Sequence, residues 1–154
     1  MRRLLLILVM AILPGSALAE GWVAQMEDDE GGQVMVASVT GDPQGDLTPT
    51  LEIECAGKQG VMLRYLASTE NGAPGDKVSF LFENESRQVT LEMAYEDMDG
   101  AFAAYFPKAA PIIDLLENGP DVTISDSSGN FPAEAFSLHA STKAIGKVLS
   151  GCTG

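Results

Sequence analysis

The 154-residue chain is poor in the residues that usually carry chemistry: one histidine, one tryptophan, two cysteines, and 9 lysines and arginines against 22 aspartates and glutamates. The single histidine, His139, has no G-x-S-x-G elbow or comparable nucleophile to serve, which argues against a Ser-His-Asp hydrolase. It falls at the junction of a predicted strand and helix, where an exposed or capping residue is expected. Two distant cysteines cannot form a close C-x-x-C redox pair, and with one histidine they leave a zinc ion short of ligands. A carboxylate glycosidase needs an aromatic-lined cleft, and one tryptophan furnishes little of it. The deficit of cations leaves a formal net charge of −13. Such a chain is repelled by phosphate backbones and by anionic lipid surfaces, whereas cationic ligands, metal ions or a basic protein partner remain compatible with it.

No apolar run reaches the roughly 20 residues that cross a bilayer. The run from Leu4 to Leu13 follows Arg2 and Arg3, precedes Pro14-Gly15, and leads to Ala17 and Ala19, the small residues of an A-x-A cleavage site. This is the pattern of a secretory signal peptide over residues 1–19, with cleavage after Ala19 and a single exported β-rich domain over 20–154. No cysteine follows the run to take a lipid, and loss of Arg2 and Arg3 makes the exported chain two units more acidic still. No membrane insertion is expected after cleavage.

Heptads, fixed-period repeats and low-complexity tracts are absent. Short alternation is present instead. Leu51, Ile53 and Cys55 are apolar while Glu52 and Glu54 face the other way, the period of two that marks a half-buried strand. Val61, Leu63 and Tyr65 repeat the pattern against Arg64, as do Val78, Phe80 and Phe82 against Ser79 and Glu83, and then Val89, Leu91, Met93 and Tyr95 against Gln88, Thr90 and Glu92. Further strands are predicted over residues 22–26, 33–40, 101–106, 121–125 and 133–138. Turn chemistry separates them at Gly31-Gly32, Gly57 to Gly60, Asn71 to Gly75, Asn84 to Ser86 and Asp99-Gly100. Strands so closely spaced argue for a sandwich or a curled sheet, and the predicted class is mainly β, with antiparallel, sandwich-like sheets and two short helices.

Two segments have helical spacing. In "PKAAPIIDLLENGP", Ile112, Ile113, Leu115 and Leu116 follow Pro111, with Asn118-Gly119-Pro120 as a stop. At the C-terminus, Ile145, Val148, Leu149 and Cys152 share one helical face. Cys55 points inward from a strand and Cys152 inward from this helix, and export takes both to an oxidising compartment, so a Cys55–Cys152 disulfide is expected.

Two acidic stretches, "MEDDEGG" and "YEDMDGAF", offer carboxylates as weak metal candidates: Glu27, Asp28, Asp29, Asp97 and Asp99. Neither matches the twelve-residue calcium loop, and solvated hairpin turns are the expected state. No catalytic residue and no cofactor are assigned.

With this layout the chain resembles the type VI secretion-associated VasI-type family of small Gram-negative periplasmic proteins and, more distantly, the invasion-associated locus B group. The resemblance lies in Trp22-Val23, the acidic run from Met26 to Asp29, "PTLEIEC" ending at Cys55, "DGAFAAYF" from Asp99, and "AFSLHASTKAIGKVLSGC" running to Cys152. It departs from the locus B pattern in lacking a cysteine soon after the first tryptophan. From the VasI pattern it departs at His139, where a glycine is usual, and at Glu27, where a serine is usual. The resemblance implies an exported, non-catalytic accessory protein with a protein partner in the cell envelope, and transfers no site residue. The alternatives are a cation- or small-ligand-binding periplasmic module and a small hydrolase.

Overall fold

The computed structural model describes residues 21–29, 31–43, 46–69 and 72–152; the leader predicted over 1–19 and the start at Glu20 lie outside them. The described residues form nine strands: β1 (Val23–Asp29), β2 (Gly32–Thr40), β3 (Thr50–Cys55), β4 (Val61–Leu66), β5 (Lys77–Glu83), β6 (Gln88–Glu96), β7 (Ala101–Phe106), β8 (Asp121–Asp126) and β9 (Glu134–Ser137). They also form two α-helices, α1 (Pro111–Glu117) and the C-terminal α2 (Ser141–Gly151). The fold is mainly antiparallel β with two helices. Its layers belong to one continuous sheet, ordered β1-β2-β3-β4-β7-β6-β5-β8-β9.

The alternation of the sequence decides which face is buried. Leu51 and Ile53 of β3, Val61, Leu63 and Tyr65 of β4, Phe80 and Phe82 of β5 and Met93 of β6 are fully buried and share the inner face. Around Phe80 the rings of Tyr65, Phe102 and Phe131 meet edge to face, with centroids 5.1–5.5 Å apart. Such pairs each add about 0.5–1.5 kcal/mol beyond their burial.

So wide a sheet has to curl to cover its inner face. Trp22, just before β1, donates its N–H to the carbonyl of His139, just after β9, at 2.8 Å. Gly41 at the end of β2 lies so close to β9 that a Cβ there would meet the Ala135 carbonyl at 3.1 Å and the Phe136 ring at 3.2 Å. The two ends of the sheet therefore meet at one corner. A second link crosses the interior: Glu134 of β9 is 3 % exposed, and it accepts hydrogen bonds from the Tyr65 hydroxyl (2.5 Å) and the Ser68 N–H (2.9 Å). Burial, followed by the bond to Glu134 and its charge, pushes the Tyr65 pKa well above its usual value, so the hydroxyl remains the donor.

The helices fill what the curl leaves open. Ile112, Ile113, Leu115 and Leu116 bury α1, and the side chain of Asn84 holds its C-terminal end, donating to the carbonyls of Leu115 (3.1 Å) and Asn118 (2.8 Å). The same Asn84 accepts from the Ser86 and Arg87 N–H groups, so one buried amide closes the β5–β6 turn and the helix end together. Ala144, Ile145 and Val148 seat α2 against β1, β2 and β3. Cys152 follows directly and is bonded to Cys55, with Cα atoms 5.5 Å apart across a separation of 97 residues. In a chain-entropy account such a long loop is worth about 4–5 kcal/mol.

Two measurements test these links. Cys55→Ser and Cys152→Ser should each cost about 2–5 kcal/mol in urea melts under non-reducing conditions, and the double variant scarcely more, because both remove one bond. Additive losses, or two titratable thiols in the denatured wild type, would contradict the bond. Tyr65→Phe should cost about 1–3 kcal/mol by leaving Glu134 a donor short. In the Glu134→Gln background the same change should cost measurably less, and equal costs in the two backgrounds would show that the pair is not coupled.

Candidate functional site

The outward positions of the central strands carry the most concentrated charge among the described residues. Glu52 lies directly across from Arg64 in the β3–β4 register, and Glu54 lies across from Met62. The β4–β7 pairing then brings the β6–β7 turn to the same side, so Arg64 Nη1 is 3.7 Å from Glu54, Nε is 3.6 Å from Glu96, and Nη2 is 3.2 Å from Asp99. Tyr105 donates to the second oxygen of Glu96 at 2.9 Å. Beneath these groups Val36, Met62, Ala101 and Ala103 are buried although they belong to the outer face, so the long polar side chains lie flat over an apolar floor.

One guanidinium serves too many carboxylates here. Burial raises the pKa of Glu52, and Glu27, Glu54 and Asp99 raise it further against the opposing pull of Arg64. Burial likewise raises Glu54; Arg64 opposes, and Asp29, Asp99 and Glu27 add to the rise. Burial works against the Arg64 charge, but Glu54, Asp99, Glu96 and Glu52 outweigh it and raise its pKa, keeping the side chain cationic. Nε of Arg64 is buried yet has no hydrogen-bond partner among the described residues, with Glu96 at ion-pair distance from it, 3.6 Å. The result is a convex face with excess negative charge on a dry floor.

At one end this face runs into a hollow of about 610 Å³ bordered by Thr48, Leu66, Thr69, Tyr95, Asp97 and Asp99. The Thr69 hydroxyl oxygen is buried there without a partner among the described residues, and Met98 at the rim is 92 % exposed.

The sequence-predicted candidates divide between these places. Glu27, Asp28 and Asp29 belong to strand β1 rather than to a hairpin turn, since the strand runs on to Asp29 and the turn begins beyond it. Strand alternation then sends Glu27 and Asp29 to the outer face and Asp28 to the other side, where it accepts from the Gln33 side chain at 3.3 Å. Asp97 and Asp99 do lie in the β6–β7 turn, and Asp99 is committed to Arg64. Among the described residues no three His, Cys, Asp or Glu side chains converge as a metal site. His139 is exposed, with its backbone between Ser137 and Trp22 and its ring edge against Gly21. Sequence reasoning placed Glu52, Glu54 and Arg64 on the wet face but missed that Glu96 and Asp99 join them. Only the β4–β7 and β7–β6 pairings bring them there.

No protein-family model matches the chain, and no curated protein matches it. Among solved structures the crystal structure of invasion associated protein B from Bartonella henselae is similar in fold. Its TM-score is 0.56 at 11% sequence identity, over 84% of this chain and 90% of that one.

The raised carboxyl of Glu52 has a measurable sign. A folded state that binds this proton more tightly than the unfolded state gains stability as pH falls, and the unfavourable contribution persists above the folded-state pKa. Glu52→Gln should therefore raise the urea midpoint at pH 7, and the gain should shrink as pH approaches the ordinary carboxyl value of 4.5. A gain that stays constant down to that pH would show that ionisation of Glu52 is not its source.

Proposed function

We propose that the chain is an exported, non-catalytic accessory protein of the Gram-negative periplasm that binds a cationic protein partner on the outer face of its sheet. The observation that carries this reading is the Arg64 cluster. Two unit charges 4 Å apart interact by about 4 kcal/mol at an effective dielectric of 20, so an incoming lysine or arginine relieves repulsion that the free protein bears. Partial burial of Glu52 and Glu54 means that part of their desolvation is already met before the partner arrives. The net charge of −13 adds long-range steering toward a basic surface. The leader pattern ending at Ala19 supports export, and the VasI-type resemblance supports membership of a secretion-associated envelope system. The open, convex shape of the face supports docking of a surface rather than turnover of a small substrate.

A second reading, a small cationic ligand in the hollow, is favoured by Asp97 and Asp99 at its border and the unpartnered Thr69 hydroxyl.

An oligolysine peptide serves as the probe. Its affinity should fall steeply between low and physiological salt and should drop about tenfold in the Glu54→Lys Glu96→Lys double variant. The Glu85→Lys Asp121→Lys variant, with the same change in net charge at exposed positions elsewhere, should bind nearly as the wild type does. Equal losses in both would assign the attraction to net charge and defeat the assignment to this face. Competition by a free diamine that survives Glu54→Lys Glu96→Lys but not Asp97→Asn would favour the hollow.

A further inference from the structure

We infer that β1 is an open docking edge that accepts an extended, basic segment of a partner protein as a tenth strand of the sheet. The inference takes the sign of the partner's charge from the reading of the acidic face and adds the mode of attachment.

The two edges of the sheet are unequal. β9 has four residues, follows Pro132, and packs against the end of β2. Shortness and coverage are the usual protections of an edge. β1 has seven residues in unbroken register with β2, from Val23 opposite Ser38 to Asp29 opposite Gly32, with no proline, lysine or bulge. The hairpin register assigns the ladder bonds to Val23, Gln25, Glu27 and Asp29. Trp22, in the opposite phase, sends its N–H outward to His139. The main-chain groups of Ala24, Met26 and Asp28 point the same way as that of Trp22, and among the described residues no backbone group pairs with them. Val23 and Met26 on this strand are 54% and 50% exposed, so the edge offers apolar contact as well as a ladder.

Charge selects the occupant. The charged side chains of β1 are all acidic, Glu27, Asp28 and Asp29, and the row of carboxylates on β3 lies two strands inward. A second copy of the chain would join two such faces into one sheet, each chain formally −13, and repulsion opposes it. A strand with lysine or arginine at alternate positions would lie about 4.8 Å from β1 and set its cations beside Glu27, at the border of the acidic face.

The test uses the chain purified after export and a nine-residue peptide alternating lysine with valine and threonine. Peptide binding should slow amide exchange at Ala24, Met26 and Asp28 by about tenfold or more, the signature of newly bonded N–H groups. Met26→Pro removes an N–H that the fold leaves unused, so it should preserve the urea midpoint while abolishing this binding. Should that variant unfold, the same peptide with N-methyl groups on alternate residues provides the equivalent loss from the other side. Strand addition is overturned by peptide binding without protection of these amides, by binding indifferent to Met26→Pro and N-methylation, or by protection arising from a concentration-dependent dimer without peptide. Failure of this peptide to bind where oligolysine does bind overturns strand addition and leaves the acidic face standing, whereas loss of both removes the common premise.

Discussion

A nine-stranded sheet with one apolar face cannot be covered by two helices of 7 and 11 residues if it stays open. The exposed remainder would be a large hydrophobic patch of the kind that monomeric proteins rarely carry. Burial of that face therefore forces the curl, and the polar links that cross the interior are consequences of it. Glu134 is the clearest case. Its position on β9, in phase with Phe136 and Leu138, would put a carboxyl group into hydrocarbon if the sheet were flat. Curling brings Tyr65 and the Ser68 N–H to it from β4 and the segment that follows, and a buried polar group with its partners in place costs little. The α2 helix closes the remaining gap, and the Cys55–Cys152 bond joins its end to the strand whose apolar residues it helps to bury.

The parts of the fold that depend on neighbours in sequence are legible in the sequence. Strands β3 to β6 follow from the alternation at Leu51, Val61, Val78 and Val89, and α1 follows from Pro111, four aliphatics and the Asn118-Gly119-Pro120 stop. The parts that depend on distant pairing are not. A sandwich of separate sheets and one curled sheet have the same local pattern, because an inward apolar residue reads alike whether it faces a second sheet or the far side of its own. The acidic run after Met26 reads as a turn by composition, yet ladder pairing with β2 extends it as a strand as far as Asp29. Glu134 was invisible for a related reason. A glutamate ordinarily marks the wet phase of a strand, and only its shared phase with Phe136 and Leu138 could have pointed to a buried carboxyl.

The same topology explains why charge accumulates on the outside. Every strand that sends an apolar residue inward sends its neighbour outward, and the strands β3, β4 and β6 contribute Glu52, Glu54, Arg64 and Glu96 within one region. A face meant only for solubility is served by scattered charges well separated in water. Here buried Met62 and the alanines at 101 and 103 form the floor, and carboxylates of Glu54, Glu96 and Asp99 crowd around one arginine at 3.2–3.7 Å.

Burial first, and carboxylate crowding after it, carry a free-energy cost in the isolated protein, visible in the raised pKa values of Glu52 and Glu54. A protein can relieve it by protonation, by losing a carboxylate, or by acquiring a cation. Protonation is unfavourable at neutral pH, and a single Glu-to-Gln change would remove the cost permanently. On the reading proposed above, a chain with 22 acidic and only 9 basic side chains takes the third route, in which the cation comes from outside. On that reading the cation arrives on a scaffold able to lie against a broad surface, since no three carboxylates converge as ligands for a small ion among the described residues. An extended basic segment meets both conditions, and β1 stands at the border of the face with its outward ladder unfilled among the described residues.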